Sequence, residues 1–177
     1  MVTAYIALGS NLGDRWATLS AAVRRLRAEP GIRVIDSSEK YETVPVNCPP
    51  GSGAFLNAVV AIETDREPHD ILQLLQRIER QFGRVRSEPN SPRTLDLDLI
   101  LYGDRVINWG EPPAGSPPPV TPDLVVPHPR MHERAFVLVP LAEIAPEKMI
   151  GGVRVIDALK RVDARGIQRV GPTDARR

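Results

Sequence analysis

In the segment Thr94–Tyr102, leucine takes every second position, at Leu95, Leu97, Leu99 and Leu101, and Asp96 and Asp98 stand between them. A period of two belongs to a β-strand. The leucines therefore point one way, and Thr94, Asp96, Asp98, Ile100 and Tyr102 the other. Four leucines on one face need a covered core, which predicts a strand in the middle of a sheet. On the opposite face the two aspartates have Cα atoms about 7 Å apart. At an effective dielectric near 20, carboxylates about 6 Å apart repel by roughly 3 kcal/mol. Arginine offsets that repulsion, and so does a divalent cation bridged to phosphate. Magnesium takes one or two carboxylates and completes its shell with water and phosphate oxygens. Arg84, Arg86 and Arg93 come just before the pair, in a stretch that also holds Pro89, Asn90 and Pro92. A cationic loop beside paired carboxylates suits a site that neutralises several phosphate charges. The plainer alternatives are solvent-facing or ion-paired aspartates and a solvated loop.

The rest of the chain frames this strand. Val2–Leu8 is apolar and closed by Gly9-Ser10-Asn11, a strand entering a turn. Asp14 is placed to cap a helix with Leu19, Ala22, Val23 and Leu26 on its apolar face, and Pro30-Gly31 ends it. Ile32–Tyr41 and Ala54–Thr64 predict two strands joined by the Pro- and Gly-rich loop Val44–Gly53. Pro68 opens a helix whose stripe is Ile71, Leu74, Leu75, Ile78 and Phe82, with Gly83 as the stop. The order is βαββαβ. That predicts an α+β fold with a ferredoxin-like core, an antiparallel sheet with helices on one face. A C-terminal helical extension follows, from Arg134–Ile144 (apart from Pro140) and Ile156–Val162. Six of the eighteen prolines lie between Pro112 and Pro122, so the insertion Trp109–Asp123 is expected to form an extended surface loop. Residues from about 166 to 177 carry little apolar pattern and are expected to fray. The whole, 1–177, reads as a single domain.

Composition removes several classes of function. With 177 residues and 42% hydrophobic content the chain can bury a real core. A formal net charge of +1 lacks the basic excess of a nucleic-acid-binding protein. Cys48 is the only cysteine, which excludes an intrachain disulfide and a thiolate metal cluster and fits a reducing compartment. No basic segment followed by an apolar core opens the chain, and no apolar run approaches the ~18 residues of a membrane span. A cytoplasmic protein without a membrane segment is expected. His69, His128 and His132 lack metal-ligand spacing, and no Ser/His/Asp or Cys/His order points to a covalent intermediate. Gly9–Asp14 looks like a phosphate loop but has neither G-K-[ST] nor G-x-G-x-x-G, so it reads as a tight turn plus a helix cap. Asn57, close to Phe55, is either a turn residue or an amide that reads the edge of a heterocycle.

Six segments in one order resemble a single family. They are Gly9-Ser10-Asn11-Leu12-Gly13, Tyr41-x-Thr43, Phe55-Leu56-Asn57-Ala58, Gly83-Arg84-Val85-Arg86, Pro92-Arg93-Thr94-Leu95-Asp96-Leu97-Asp98 and Val126-Pro127-His128-Pro129-Arg130-Met131. Together they resemble the hydroxymethyldihydropterin pyrophosphokinases of folate biosynthesis over residues 1 to about 150. The resemblance implies transfer of the β,γ-diphosphate of ATP to the hydroxymethyl oxygen of 6-hydroxymethyl-7,8-dihydropterin, with AMP leaving. It implies that Asp96 and Asp98 hold two Mg²⁺ ions and that Arg84 and Arg93 are the catalytic arginines. Gln76, Glu79, His128 and Arg134, with the two arginines, match ATP-binding positions. Thr43, Val44, Val46, Phe55, Asn57 and Phe136 match the pterin pocket, with Phe55 and Phe136 sandwiching the ring. The loops Val44–Gly53 and Arg84–Pro92 resemble mobile lids. The chain is expected to act as a monomer on small-molecule substrates. Between the two matched arginines it is one residue shorter than the best-known bacterial members, and Asp123 stands near a position where they often carry arginine. A two-metal phosphodiesterase or nuclease would need further ligands on neighbouring strands. A ferredoxin-like RNA-binding module would need stacking aromatics there.

Overall fold

The structure, a computed structural model, describes residues 1–44, 51, 53–83, 94–109 and 124–171. Strand β1 (Val2–Ser10) continues through Gly9 instead of turning there. Asp14 then caps α1 (Arg15–Arg27), its carboxylate accepting the Ala17 N–H at 2.9 Å. The expected second strand is broken into β2 (Ile32–Ser37) and β3 (Lys40–Thr43). Across the break Ser38 keeps the next strand paired. Its N–H donates to the Val59 carbonyl at 2.9 Å, and its Oγ accepts the Val59 N–H at 3.0 Å. Strand β4 (Phe55–Thr64) leads to α2 (Pro68–Gln81), which stops before Gly83 at a φ of 78°. After β5 (Asp96–Tyr102) come the short pair β6 (Ile107–Asn108) and β7 (Val125–Val126). The pairing of Ile107 with Val126, and Trp109 N–H donating to the Leu124 carbonyl at 2.9 Å, close the base of the proline-rich insertion. Its residues 110–123 lie outside the described part. A 3₁₀ turn (Met131–Glu133), α3 (Ala135–Ile144), the hairpin β8 (Met149–Ile150) with β9 (Val153–Arg154), α4 (Val155–Leu159) and β10 (Gln168–Val170) complete the chain.

Among the described residues six strands form one sheet in the order β10-β3-β4-β1-β5, with β2 also paired to β4. Every pairing in it is antiparallel. Two expectations need correction. The aspartate strand β5 is at the edge of the sheet, not in its middle. Leucine periodicity reports that a face is covered; it does not report whether a strand has one neighbour or two. The tail expected to fray supplies β10, which pairs with β3, and Val170 packs partly against the core.

Both faces of the sheet are covered. On one face β1 (Ala4, Ile6, Leu8), β4 (Leu56, Ala58, Val60, Ile62), Leu95 and β5 (Leu97, Leu99) meet the stripes of α1 (Leu19, Ala22, Leu26) and α2 (Ile71, Leu74, Leu75, Ile78). On the other, Val59, Ile100 and Leu101 meet Val137, Leu138 and Leu141 of α3 and Val155 and Ala158 of α4. The C-terminal helices thus complete the second layer. Strict alternation along β5 ends at Ile100. Ile6 pairs with Leu99 and Tyr5 with Leu101, so Ile100 is an extra residue, a β-bulge. The bulge moves Leu101 to the face of α3 and returns Tyr102 to the face of α1 and α2, the reverse of the expected assignment. Tyr102 keeps its hydroxyl satisfied there by donating to the Arg66 carbonyl at 2.8 Å.

Candidate active site

Strand register assembles the site. Tyr41 on β3 pairs with Asn57 on β4, Asn57 with Gly9 on β1, and Gly9 with Asp96 on β5. Directly paired residues of an antiparallel ladder share a face. These four therefore make one row, on the face that also carries Asp98 and α3. In the next row Val59, Ala7 and Asp98 stand side by side. With glycine and alanine between the larger side chains, the middle of this surface is low. A Cβ on residue 9 would come 3.3 Å from Asn57 Oδ1 and 3.9 Å from Asp96 Cβ. A glycine inside a strand often marks such a close approach. Asn57 and Asp96 thus flank Gly9 on one face of the sheet.

Asn57 is buried and its orientation is fixed. Its Nδ2 donates to Thr43 Oγ1 at 2.8 Å, which leaves Oδ1 on the Gly9 side. Thr43 pairs with Phe55, so both lie on the same face as Asn57. Arg15 holds the entry to β4 from behind. One guanidinium nitrogen donates to the Ala54 carbonyl at 2.7 Å, and another to Glu42 Oε2 at 2.6 Å. The surface thus offers an amide, a hydroxyl and an aromatic ring at one end and paired carboxylates at the other.

Helix α3 supplies the opposite wall. Glu143 near its end accepts the Glu39 N–H at 3.2 and 3.1 Å and the Tyr41 hydroxyl at 2.8 Å, pinning the helix to β3. Burial, followed by the Glu143 carboxylate, pushes the Tyr41 phenol up to about 12. At the start of α3 the Arg134 guanidinium lies 5.6 Å from the centre of the Phe136 ring. The segment before it is joined to β5, because His128 N–H donates to the Ile100 carbonyl at 3.0 Å. His128 Nδ1 accepts the Arg130 N–H at 3.3 Å, which assigns the proton of the neutral ring to Nε2. Burial and then the Arg134 charge hold its pKa below the usual histidine value, against an opposing pull from Asp96. At neutral pH this ring is an uncharged N–H donor near both charges.

The structure brings Thr43, Phe55, Asn57, Asp96 and Asp98 onto one surface, with His128, Arg134 and Phe136 on the elements that face it. Val44 follows β3 and is exposed. Val46, Arg84 and Arg93 lie outside the described residues. Gln76 and Glu79 are on α2, which packs on the other sheet face and ends beside β5. Glu79 is buried there and accepts the Leu97 N–H. Sequence reasoning did not find the parts played by Gly9, Arg15 and Glu143. Gly9 carried a usable signal, a glycine at the end of an apolar strand; the other two depend on partners distant in the chain.

Paired carboxylates on one strand face, beside a buried amide and an arginine at the start of the facing helix, suit a transferase that handles phosphate groups. The family model of the 7,8-dihydro-6-hydroxymethylpterin-pyrophosphokinases (HPPK) matches residues 5–146. The 2-amino-4-hydroxy-6-hydroxymethyldihydropteridine pyrophosphokinase of Methylorubrum extorquens is 44% identical over 170 residues, 96% of this chain and 99% of the relative. The protein of the same name from Bacillus subtilis is 44% identical over 144 residues, 81% of this chain and 78% of the relative. The chain belongs to the HPPK family. A crystal structure of Plasmodium falciparum HPPK-DHPS with pteroate has a TM-score of 0.69 at 14% identity. The match takes in 90% of this chain and 42% of that longer one, and it shows the shared fold.

Proposed function

We propose that this chain transfers the β,γ-diphosphate of ATP to the hydroxymethyl oxygen of 6-hydroxymethyl-7,8-dihydropterin and releases AMP, a step of folate biosynthesis. The observation that carries the reading is the placement of Asn57 and Asp96 on either side of Gly9 in one row of a sheet face. Transfer between a flat ring and a polyphosphate needs a ring site and a charge-neutralising site side by side, because most of the catalytic effect is positional and electrostatic.

Each residue then has a part. Phe55 and Phe136 sandwich the pterin, Asn57 reads its edge, and Thr43 and Val44, with Val46, line the pocket. His128 Nε2–H and Arg134 contact the nucleotide, and Gln76 belongs to the same region. Asp96 and Asp98 fit magnesium by donor chemistry. Both are hard oxygen ligands on one face, with only Gly9 and Ala7 opposite them. Among the described residues no cluster of three or more His, Cys, Asp or Glu side chains gathers to hold a metal. Two ions at this pair would take their remaining ligands from phosphate and water, and they would supply neutralisation of the polyphosphate. Arg84 and Arg93 add guanidinium charge to the same phosphates. The hydroxymethyl oxygen bonds to the β-phosphorus, the bond from that phosphorus to the α,β-bridging oxygen breaks, and the hydroxyl proton passes to solvent. A single domain of residues 1–177, monomeric and cytoplasmic, is part of the same proposal. Among the described residues no helix is long and apolar enough to cross a membrane.

A coupled assay for AMP, run with and without the pterin and with and without Mg²⁺, tests this directly. AMP that appears only when both are present is the expected result. ADP as the product, or AMP formed without pterin, overturns it.

A further inference from the structure

Leu97 stands between Asp96 and Asp98, on a strand that has a sheet neighbour on one side only. Its N–H does not go to a strand. Glu79 Oε1 accepts it at 2.7 Å, from a side chain that is only 3% exposed in the last turn of α2. A carboxylate accepting a backbone N–H makes a charge-assisted bond, shorter and stronger than a neutral one. The contact spans 18 residues of sequence, and Arg84 and Arg93 both lie within that span. One hydrogen bond therefore fixes the backbone between the two aspartates and closes the base of the segment that carries both arginines.

From this geometry we infer that Glu79 is a positioning residue for the diphosphate transfer. It holds the aspartate pair in register through Leu97, and what the site needs from it is an acceptor oxygen at that amide. The inference rests on the proposed metal role of Asp96 and Asp98. It differs from a direct contact between Glu79 and nucleotide, which would use the carboxylate charge.

Glu79→Gln keeps a carbonyl acceptor at the same reach, and Glu79→Met keeps length and replaces the acceptor oxygen by a weakly accepting thioether. In the metal-free protein, Leu97 amide hydrogen exchange is expected to be faster in Glu79→Met and close to the parent's in Glu79→Gln. Calorimetric affinity for Mg²⁺ with α,β-methylene-ATP should fall by about 10–100-fold in Glu79→Met, the range for groups that orient metal ligands, and kcat with it. KM for the pterin should stay near the parent's, and Glu79→Gln should restore most of the loss. An equal loss in both variants, or none in Glu79→Met, overturns the inference. If Glu79→Met does not fold, Glu79→Gln decides: parent-like affinity supports the inference and a tenfold loss overturns it. Asp96→Asn is the separate control. If that variant keeps parent-like Mg²⁺ dependence, the metal reading fails, whereas the Leu97 exchange result stands independently of it.

Discussion

Gly9 and Asn57 are register partners whose separation leaves little room for a side chain on residue 9, where a Cβ would sit 3.3 Å from Asn57 Oδ1. The Asn57 amide is therefore placed by a missing atom as much as by its hydrogen bond to Thr43.

Gly9→Ala displaces the Asn57 amide by a few tenths of an ångström, and the added Cβ stays more than 4 Å from the Asp96 carboxylate oxygens. KM for the pterin is expected to rise roughly 5–10-fold, equivalent to about 1–1.4 kcal/mol, while KM for ATP and thermal stability change little. Steady-state kinetics with each substrate varied in turn measures the split. A selective rise in KM for ATP would contradict the placement.

Thr43→Val removes the acceptor of Asn57 Nδ2 at a site where both residues are only 6% exposed. An unpaired buried donor lowers stability by about 1–3 kcal/mol. Urea denaturation should show that loss, Thr43→Ser should recover it, and pterin affinity should drop in the valine variant alone.

Asp96→Asn and Asp98→Asn keep shape and remove charge. Each is expected to lower kcat by at least about 100-fold, comparable to losing one electrostatic group of a transfer site, and to raise the Mg²⁺ concentration for half-maximal rate. Unchanged near-ultraviolet circular dichroism would separate this loss from unfolding.

The Tyr41 phenol titrates at about 12 in the folded chain against a usual value of 10.0, from burial first and Glu143 second. A group whose folded pKa is raised adds stability in full below the unfolded value and loses it as pH rises through the folded one. The Tyr41 contribution is thus present below pH 10 and disappears towards pH 12. Glu143→Gln removes the charge and leaves the burial, so the phenol should ionise earlier but still above 10. The difference in phenolate absorbance between each protein and its Tyr41→Phe form reports this.

Much of the architecture is visible in the chain because its local rules agree. The α2 stripe ends where Gly83 takes a positive φ, Asp14 makes the cap its position requires, and alternation puts Asp96 and Asp98 on one face. The bulge at Ile100 is hidden because Ile100, Leu101 and Tyr102 are all suited to burial, so a change of face breaks no pattern. Glu79 on an amphipathic helix reads as solvent-facing or ligand-binding, since its partner is a backbone N–H on another element. The Glu143 bond to Tyr41 joins residues 102 positions apart and leaves no local trace. Strand β10 has two exposed residues in three, so pairing to β3 defines it, not hydrophobicity.

The outward side of β5 has a consequence for handling the protein. A leucine-rich border strand is a template for joining another molecule when its N–H and C=O groups are left open. Glu79 occupies the Leu97 amide and the His128 backbone occupies the Ile100 carbonyl, so this border is covered at two points by contacts beside the aspartate pair. Loosening the end of α2 would therefore slow turnover and invite aggregation together.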